Sequence, residues 1–432
     1  MPPKGSRPSL PSAHRASQGD RGETEVGAHW WLRTLDVRDF RNLARATMEL
    51  PARGIVLIGD NGQGKTNLLE AVAYLHLLRS VRGAPDVEVV RFGSAGFHVR
   101  GVAHVDARRR EAAVGFERAT RRKKVVVDGG EAARLSDGLG AVPSVTFSPV
   151  DVELVRGGPG LRRRYLDVVL ATTSRPYLAA LQAYRGALDR RNAALRSGAR
   201  EAAVSAWEPL MADAGAVVWA ERAAWVSRWG GELGRVCAAA GEPEAVGVRY
   251  SARAAAKERA DDAVDLERPD SDGADQPATV ETLRPILERA FSSGRLGDSR
   301  RGMTLSGPHR DDICLTLDGR PLQTYGSAGQ QRTVAIALRL LEAETLRAHA
   351  GGSPVLLFDD PFAELDERRS RAVLDVLHRG GLVQSDTPVA DGDRAGGGAQ
   401  VVLAVPRTAD IPSALTTLER WQISAGIVKR AA

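Results

Sequence analysis

Cysteine is nearly missing from this chain of 432 residues: Cys237 and Cys314 are the two, far apart in sequence. Their separation excludes a disulfide scaffold and a CxxC-type zinc or redox site, and fits a reducing compartment. No stretch approaches the run of about 18 apolar residues that a membrane span needs. Residues 1–28 are rich in Pro, Ser, Gly and Arg and contain no apolar stretch, so no secretory signal is expected there. These absences predict a soluble, cytoplasmic protein with no membrane partner. Lysine is scarce too: taking the six lysines from 60 basic residues leaves 54 Arg, a skew that a GC-rich genome produces by itself. Aromatics are only 5%, with no alternation of base-stacking residues and Arg. What remains is 43% hydrophobic, with 45 Gly and 22 Pro, the profile of a globular chain. At roughly 100–200 residues per domain, two or three domains are expected. A net charge of +6 with a pI near 9.6 permits a nucleic-acid partner without demonstrating one.

Hydrophobic patterning places the elements. Residues 31–40 alternate apolar and polar, as a half-buried strand does. Residues 54–59 form a short apolar run closed by Gly, a buried strand, and 67–78 carry helical spacing. Strand-like sequence runs from about Val89 to Val127, with a turn at Asp128-Gly129-Gly130. Helical spacing then covers 161–170, 177–195 and 204–237, and resumes at 282–291. Between them, 261–276 is acidic and almost free of apolar residues, the composition of a solvated insert. Strand signals return at 313–317 and 354–358, helices at 333–349 and 367–378, and 401–405 reads as a last strand after a loop at 380–398. This layout is an α/β region interrupted by helices and then resumed.

Gly59-Asp60-Asn61-Gly62-Gln63-Gly64-Lys65-Thr66 fits GxxxxGK[ST] between a buried strand and a helix. Its glycines let backbone N–H groups turn towards a phosphate, and the helix N-terminus adds partial positive charge. Lys65 would meet the β/γ-phosphates and the Thr66 hydroxyl a Mg²⁺ ion, so ATP and Mg²⁺ are the expected cofactors. The strand ending in Asp359-Asp360 supplies carboxylates. Asp359 is the candidate metal partner, and Asp360 is placed to polarise an attacking water.

Tyr325-Gly326-Ser327-Ala328-Gly329-Gln330-Gln331-Arg332 precedes that strand by some 30 residues. A Ser-x-Gly-Gln turn capping a helix resembles the signature motif of ABC-type ATPases. In that family the turn binds the γ-phosphate of ATP held by the other subunit, which assigns Ser327, Gly329 and Gln330 to the nucleotide. Ala363-Glu364-Leu365-Asp366 resembles the following turn at the dimer interface, which adds Asp366. The spacing from Lys65 to Ser327 exceeds that of a transporter ATPase and falls short of the coiled-coil insertions of SMC and Rad50 proteins.

Closer resemblance attaches to Phe40-Arg41-Asn42-Leu43, to 59–75, to Arg79-Ser80-Val81-Arg82, and to Phe147-Ser148-Pro149. It extends through Arg162-Arg163-Arg164-Tyr165-Leu166-Asp167, 182–192 and Ser306-Gly307-Pro308-His309-Arg310-Asp311-Asp312. Over about residues 31–377 the chain resembles the RecF family of recombination and repair ATPases. The resemblance implies an α/β, ABC-type P-loop ATPase core interrupted by a helical lobe. Its divisions would be a disordered extension 1–28, a first ATPase half 29–155, a helical lobe 156–300 holding the insert 261–276, and a second half 301–432. It implies an ATP-dependent homodimer that binds DNA at single-strand gaps and double-strand/single-strand junctions, acts with RecR and RecO to load RecA, and hydrolyses ATP slowly to leave DNA. Arg41 and Asn42 would approach the nucleotide. Two features depart from the family: 401–406 (VVLAVP) has no polar group where the family usually has Thr, and Ala328 stands where Gln is common. The first of these departures puts efficient hydrolysis in question.

Other residues keep two readings. Arg121-Arg122-Lys123-Lys124 is either a solvated hairpin tip or a set of DNA-phosphate contacts. Arg162, Arg163 and Arg164 open a helix, where positive charge opposes the dipole, so a partner anion or carboxylate is expected. His309 with Asp311 and Asp312 reads as a structural turn rather than a metal site, and Trp30 and Trp31 as core anchors. Two rival functions stay open: the motor of a transporter, and a nucleotide-dependent interaction switch that hardly hydrolyses ATP.

Overall fold

In the computed structural model the described residues are 28–105, 108–252, 264–265, 278–361, 367–379 and 398–431. The extension to residue 27, nearly all of the acidic insert 261–276 and of the loop 380–398, and Asp366 lie outside them.

The chain opens with β1 (Ala28–Phe40) and β2 (Leu43–Glu49), an antiparallel hairpin whose alternating burial follows from alternating sequence. β3 (Gly54–Ile58) leaves it for a second, mostly parallel sheet. α1 (Lys65–Leu77) follows, and then β4 (Gly96–Val105), β5 (Arg108–Glu117) and β6 (Arg122–Val127) extend the first sheet from the free edge of β1. β1 shifts register between Leu32 and Thr34. There the buried Gln400 amide supplies the missing partner, accepting from Leu32 N at 2.8 Å and donating to Leu32 O at 3.0 Å.

Across the parallel sheet the strand order is 427–430, 419–424, β3, 401–405, 355–359, 144–147. Its members come from both ends of the chain, with the helical segments between them. Successive residues point to opposite cores. Ile55 and Leu57 join the cluster against α1, while Val56, Phe147 and Phe358 join the cluster against the helices. α1 lies between the two sheets, packed on β4 and on the strands 144–147 and 355–359. Leu68, Leu69, Val72 and Leu75 are all buried, each contributing about 1.5–3 kcal/mol by area.

The helical part holds Pro159–Thr173, Arg175–Arg196, Glu208–Ala239 and Val280–Arg301. The expected single helix over 204–237 divides at Ala206-Trp207, because Pro209 fits only the first turn of a new helix. The helix expected at 282–291 runs on to Arg301 and stops at Gly302 in the left-handed region (φ 65°). Val246–Ala252 is a strand that periodicity did not indicate; it pairs antiparallel with Asp312–Leu317.

Two further corrections bear on the site. The helix expected from Thr333 begins at Ala328, so Gly329 and Gln330 lie in its first turn. Strand 401–405 is not the last, because Glu419–Ser424 and Ile427–Arg430 follow it as a hairpin. Their turn, Ala425-Gly426, has positive φ at both residues (48° and 78°), which matches the twist of a two-residue hairpin. No helix among the described residues is long and apolar enough to cross a membrane.

Candidate functional site

The phosphate loop leaves the carboxyl end of β3, the usual position for ligands on such sheets. Glycine is required at two of its positions by close approach. A Cβ at Gly59 would sit 2.4 Å from Ile423 O of the hairpin strand, and Gly64, at φ 117°, would place one 2.8 Å from Asn42 Oδ1. Gly64 is also the N-cap of α1. The late hairpin holds the loop from its other side: Gly426 N donates to Gln63 O at 2.9 Å and Ala425 N to Gln63 Oε1 at 2.6 Å. Asn42 donates to Gln63 O at 3.1 Å and accepts from Asn67 Nδ2 at 2.8 Å, so it braces the loop.

Lys65 Nζ donates to the Gly59 carbonyl at 2.5 Å and the Asp60 carbonyl at 3.0 Å. Burial holds its pKa below the ordinary lysine value, against the pull of Asp359, Asp360 and Asp60. The Thr66 hydroxyl donates to Asp359 Oδ1 at 2.9 Å, across 293 residues of sequence. Strand 401–405 separates β3 from 355–359, and its backbone ties the two ends together. Gly59 N donates to Val405 O at 3.3 Å, and Asp360 N to Ala404 O at 3.0 Å. Asp360 sits at φ 50°, a strained backbone position for a residue without glycine's freedom. Burial raises the pKa of both acids, and Asp360 is raised further by Asp410 and Asp359. Asp410 lies in the turn after the non-polar 401–406 segment, where no sequence pattern marks it.

Arg82 and Glu70 were also missed as site residues. Glu70, with no side-chain exposure, accepts from Arg41 at 2.9 and 3.0 Å, from Ser80 at 2.5 Å, and from both Nε and Nη2 of Arg82. Burial pushes its carboxyl up, and these hydrogen bonds overcome it, leaving the pKa below the ordinary value. Arg41, at φ 55°, therefore reaches Glu70 and the Glu88 carbonyl. Arg82 donates to Asn67 Oδ1 at 2.6 Å and lines the hollow of about 350 Å³ that also contains Lys65, Thr66, Asp359 and Asp360. A neighbouring hollow of about 590 Å³ continues past Asn42, Asn67 and Arg82 to Arg118 and to Phe92, which is 97% exposed. The signal for Glu70 was its position one turn after Asn67 on α1, the same helix face.

The signature turn has the geometry of a helix cap. Ser327 Oγ accepts from Gln330 N at 3.2 Å, and Gln330 Oε1 accepts from Ser327 N at 2.8 Å. Ser327 is exposed. Neither Ser327, Gly329 nor Gln330 lines the hollow at Lys65 of the same chain. Gly329 packs so closely on Arg369 that a Cβ would lie 1.8 Å from its Nη1.

The basic run divides. Lys123 is mostly buried, paired with Asp86 at 2.6 Å and bonded to the Leu78 carbonyl at 2.8 Å, so its charge is spent inside. Lys124 pairs with Glu131 at the surface, and Arg121 and Arg122 are exposed. At the helix 159–173, Arg162 has the expected carboxylate, Asp312 at 2.8 Å, and Arg163 donates to the Asp311 carbonyl at 2.6 Å. His309 is structural: it bonds Tyr184 OH at 2.7 Å and the Thr304 carbonyl at 3.0 Å, and burial lowers its pKa to about 4. No group of three or more His, Cys, Asp or Glu among the described residues could hold a metal. Of the two tryptophans, Trp30 is half-buried against the core and Trp31 stacks on His104 with centroids 5.2 Å apart.

No family model matches the chain. Curated proteins called DNA replication and repair protein RecF do. The one from Anaeromyxobacter dehalogenans strain 2CP-1 is 39% identical over 349 residues, 80% of this chain and 89% of the relative. That from Myxococcus xanthus is 36% identical over 353 residues, covering 81% and 88%. Among solved structures, the recombination mediator protein RecF-ATP of the RecFOR pathway superposes with TM-score 0.79 at 26% identity, covering 95% of this chain and all of the other. An Smc head domain from Pyrococcus furiosus shares the fold, with TM-score 0.50 at 13% identity over 93% and 96% of the two chains.

Proposed function

The chain belongs to the RecF family of DNA replication and repair proteins, with the ABC-type ATPase fold, and on that premise we propose that it is an ATP-dependent DNA-binding dimer. In this reading it acts in the cytoplasm at single-strand gaps and double-strand/single-strand junctions, working with RecO- and RecR-type partners to load a RecA-type protein. The observation that carries it is the joining of Thr66 to Asp359 beside Lys65, which makes one phosphate site from two distant motifs.

ATP would place its phosphates over residues 59–66. Lys65 would exchange its bonds to the Gly59 and Asp60 carbonyls for phosphate oxygens. The base would enter the adjoining hollow, where Phe92 offers a stacking face. Thr66 and Asp359 present a hydroxyl and a carboxylate, a donor pair suited to a hard cation, so they would hold Mg²⁺, which in such enzymes neutralises phosphate charge. Asp360, its pKa raised by burial, Asp410 and Asp359, accepts a proton from water as that oxygen bonds the γ-phosphorus. The bond from phosphorus to the bridging oxygen of ADP then breaks, giving ADP and phosphate. No side chain of 401–405 reaches the γ-phosphate in this scheme, which supports slow turnover, with DNA as its stimulant.

The second copy is needed because the signature turn does not line the site of its own chain. Ser327, Gly329 and Gln330 would complete the γ-phosphate contacts in trans, with Asp366 at the same interface. Measuring mass and gapped-DNA affinity without nucleotide, with ATP and with ADP tests this. ATP should raise both for the natural chain and neither for Lys65→Arg. Equal DNA binding by a constant monomer in all three states would overturn it.

A further inference from the structure

Away from the phosphate loop, a hollow of about 460 Å³ opens where the segment after α1 meets the helices 159–173 and 175–196. Its wall carries Arg79, Arg163, Arg164, Arg185 and Arg222 against a single acid, Asp167. That acid is already fully engaged. Asp167 accepts from Tyr177 at 2.5 Å, from the buried Arg222 at 2.7 Å and from Arg185 at 2.6 Å. Arg163 is bonded to a backbone carbonyl, which neutralises nothing. Arg79 and Arg164 are exposed and have no hydrogen-bond or ion-pair partner among the described residues. Arg164 lies over Gly83, close enough that a Cβ there would be 3.1 Å from its Nη1, which keeps it beside the segment that carries Arg79.

Gathering like charges without a counter-charge costs free energy, which a chain folding for stability alone avoids by turning the arginines apart. Here a helix of 15 residues also points its N-terminus, at Gly160, into the same hollow. Helix dipole and arginines therefore reinforce one another, and both favour an anion. Planar guanidinium forks suit the paired oxygens of a phosphate.

We infer that this arginine hollow binds backbone phosphates of a DNA strand. The inference rests on the DNA-binding reading above and gives it a place. Arg79, Arg164 and Arg185 are exposed at the rim, so a polymer can lie across it, and the low aromatic content favours backbone contact over base stacking.

The test is the salt dependence of gapped-duplex binding, with ATP, by the full chain and by the double variant Arg79→Ala/Arg164→Ala. Each lost phosphate contact lowers the slope of log affinity against log salt by about 0.9. The double variant should therefore lose between about one and two units of slope and about tenfold or more in affinity at moderate salt. ATP affinity should stay unchanged, and Arg79→Lys/Arg164→Lys should keep most of the slope. An unchanged slope in a chain that binds DNA would overturn the hollow alone. Failure of the natural chain to bind DNA would overturn this inference together with the DNA reading. A third arm adds tripolyphosphate. A thermal shift in the natural chain that the alanine variant loses, with DNA slopes equal, would make the hollow a site for a small free anion and overturn the strand assignment.

Discussion

The phosphate loop and the arginine hollow both offer positive charge to an anion, but they are built in opposite ways. The loop is a run of eight consecutive residues with one lysine. The hollow uses side chains from separated segments and only the end of one helix. A local device is fixed by its own sequence. A dispersed one depends on which charges the rest of the fold leaves unpaired.

The sharpest control is Arg191, on the same helix as Arg185. It is fully buried and satisfied by Glu208 at 2.9 Å, Asp298 at 2.9 Å and Thr304 at 2.7 Å. Arg191→Ala should strand the buried Asp298, while Glu208 keeps Arg295 at 2.6 Å, and cost about 3–5 kcal/mol in urea unfolding. Arg79→Ala or Arg164→Ala should move stability by no more than about 0.5 kcal/mol. Equal costs at the two kinds of arginine would break the distinction between structural and ligand-binding charge.

Next in size, Lys65→Ala and Asp360→Asn should each cut ATP turnover about 10²–10³-fold. DNA contacts at Arg79 and Arg164 should survive Asp360→Asn, which keeps Lys65 for ATP, as shown by an unaltered response to removing the two arginines. Loss of that response in Asp360→Asn would mean that the two sites are one.

Acid acts on the two regions alike. His76 on α1 is buried with neither ring nitrogen bonded, and its pKa falls to about 4, as does that of His309 beside the arginine hollow. Both stay neutral in the folded chain while the unfolded chain protonates near 6.5. Stability is therefore complete above about pH 6.5 and is lost as pH falls towards 4, by about 3 kcal/mol for each histidine. His76→Leu should remove one share of that slope in thermal unfolding followed from pH 7 to 4; an unchanged slope would show that His76 does not contribute.

The smallest effect is expected at the hairpin. Replacing Arg121, Arg122 and Lys124 with Ala should weaken DNA binding by less than about threefold, because these side chains are flexible and solvated. A loss matching that of the Arg79/Arg164 pair would move the principal contact to the hairpin.

Much of the architecture was legible because its signals are local. The alternating strand β1, the run 54–58, the helix after Lys65 and the acid-tipped strand 355–359 all lie where their periodicity places them. The hairpin 419–430 was missed since its half-buried, charged alternation resembles exposed loop, yet it braces Gln63. Lys123 read as part of a uniform basic run. Only the approach of Asp86 from another segment sets it apart from Lys124. Arg82 and Glu70 were visible as letters and invisible as a network, because the ion pairs depend on side chains converging from Arg41, α1 and the segment after it.

By itself, then, the sequence determined the glycine-rich loop, the acid-tipped strand and the family, because backbone turns, caps and periodic burial are written over a few consecutive residues. Tertiary structure alone decided which of the many arginines are spent and which are free. Pairing is set by a few ångströms between distant segments: Arg162 found Asp312 and Arg222 found Asp167, while Arg79 and Arg164 lie near one another without an ion pair among the described residues.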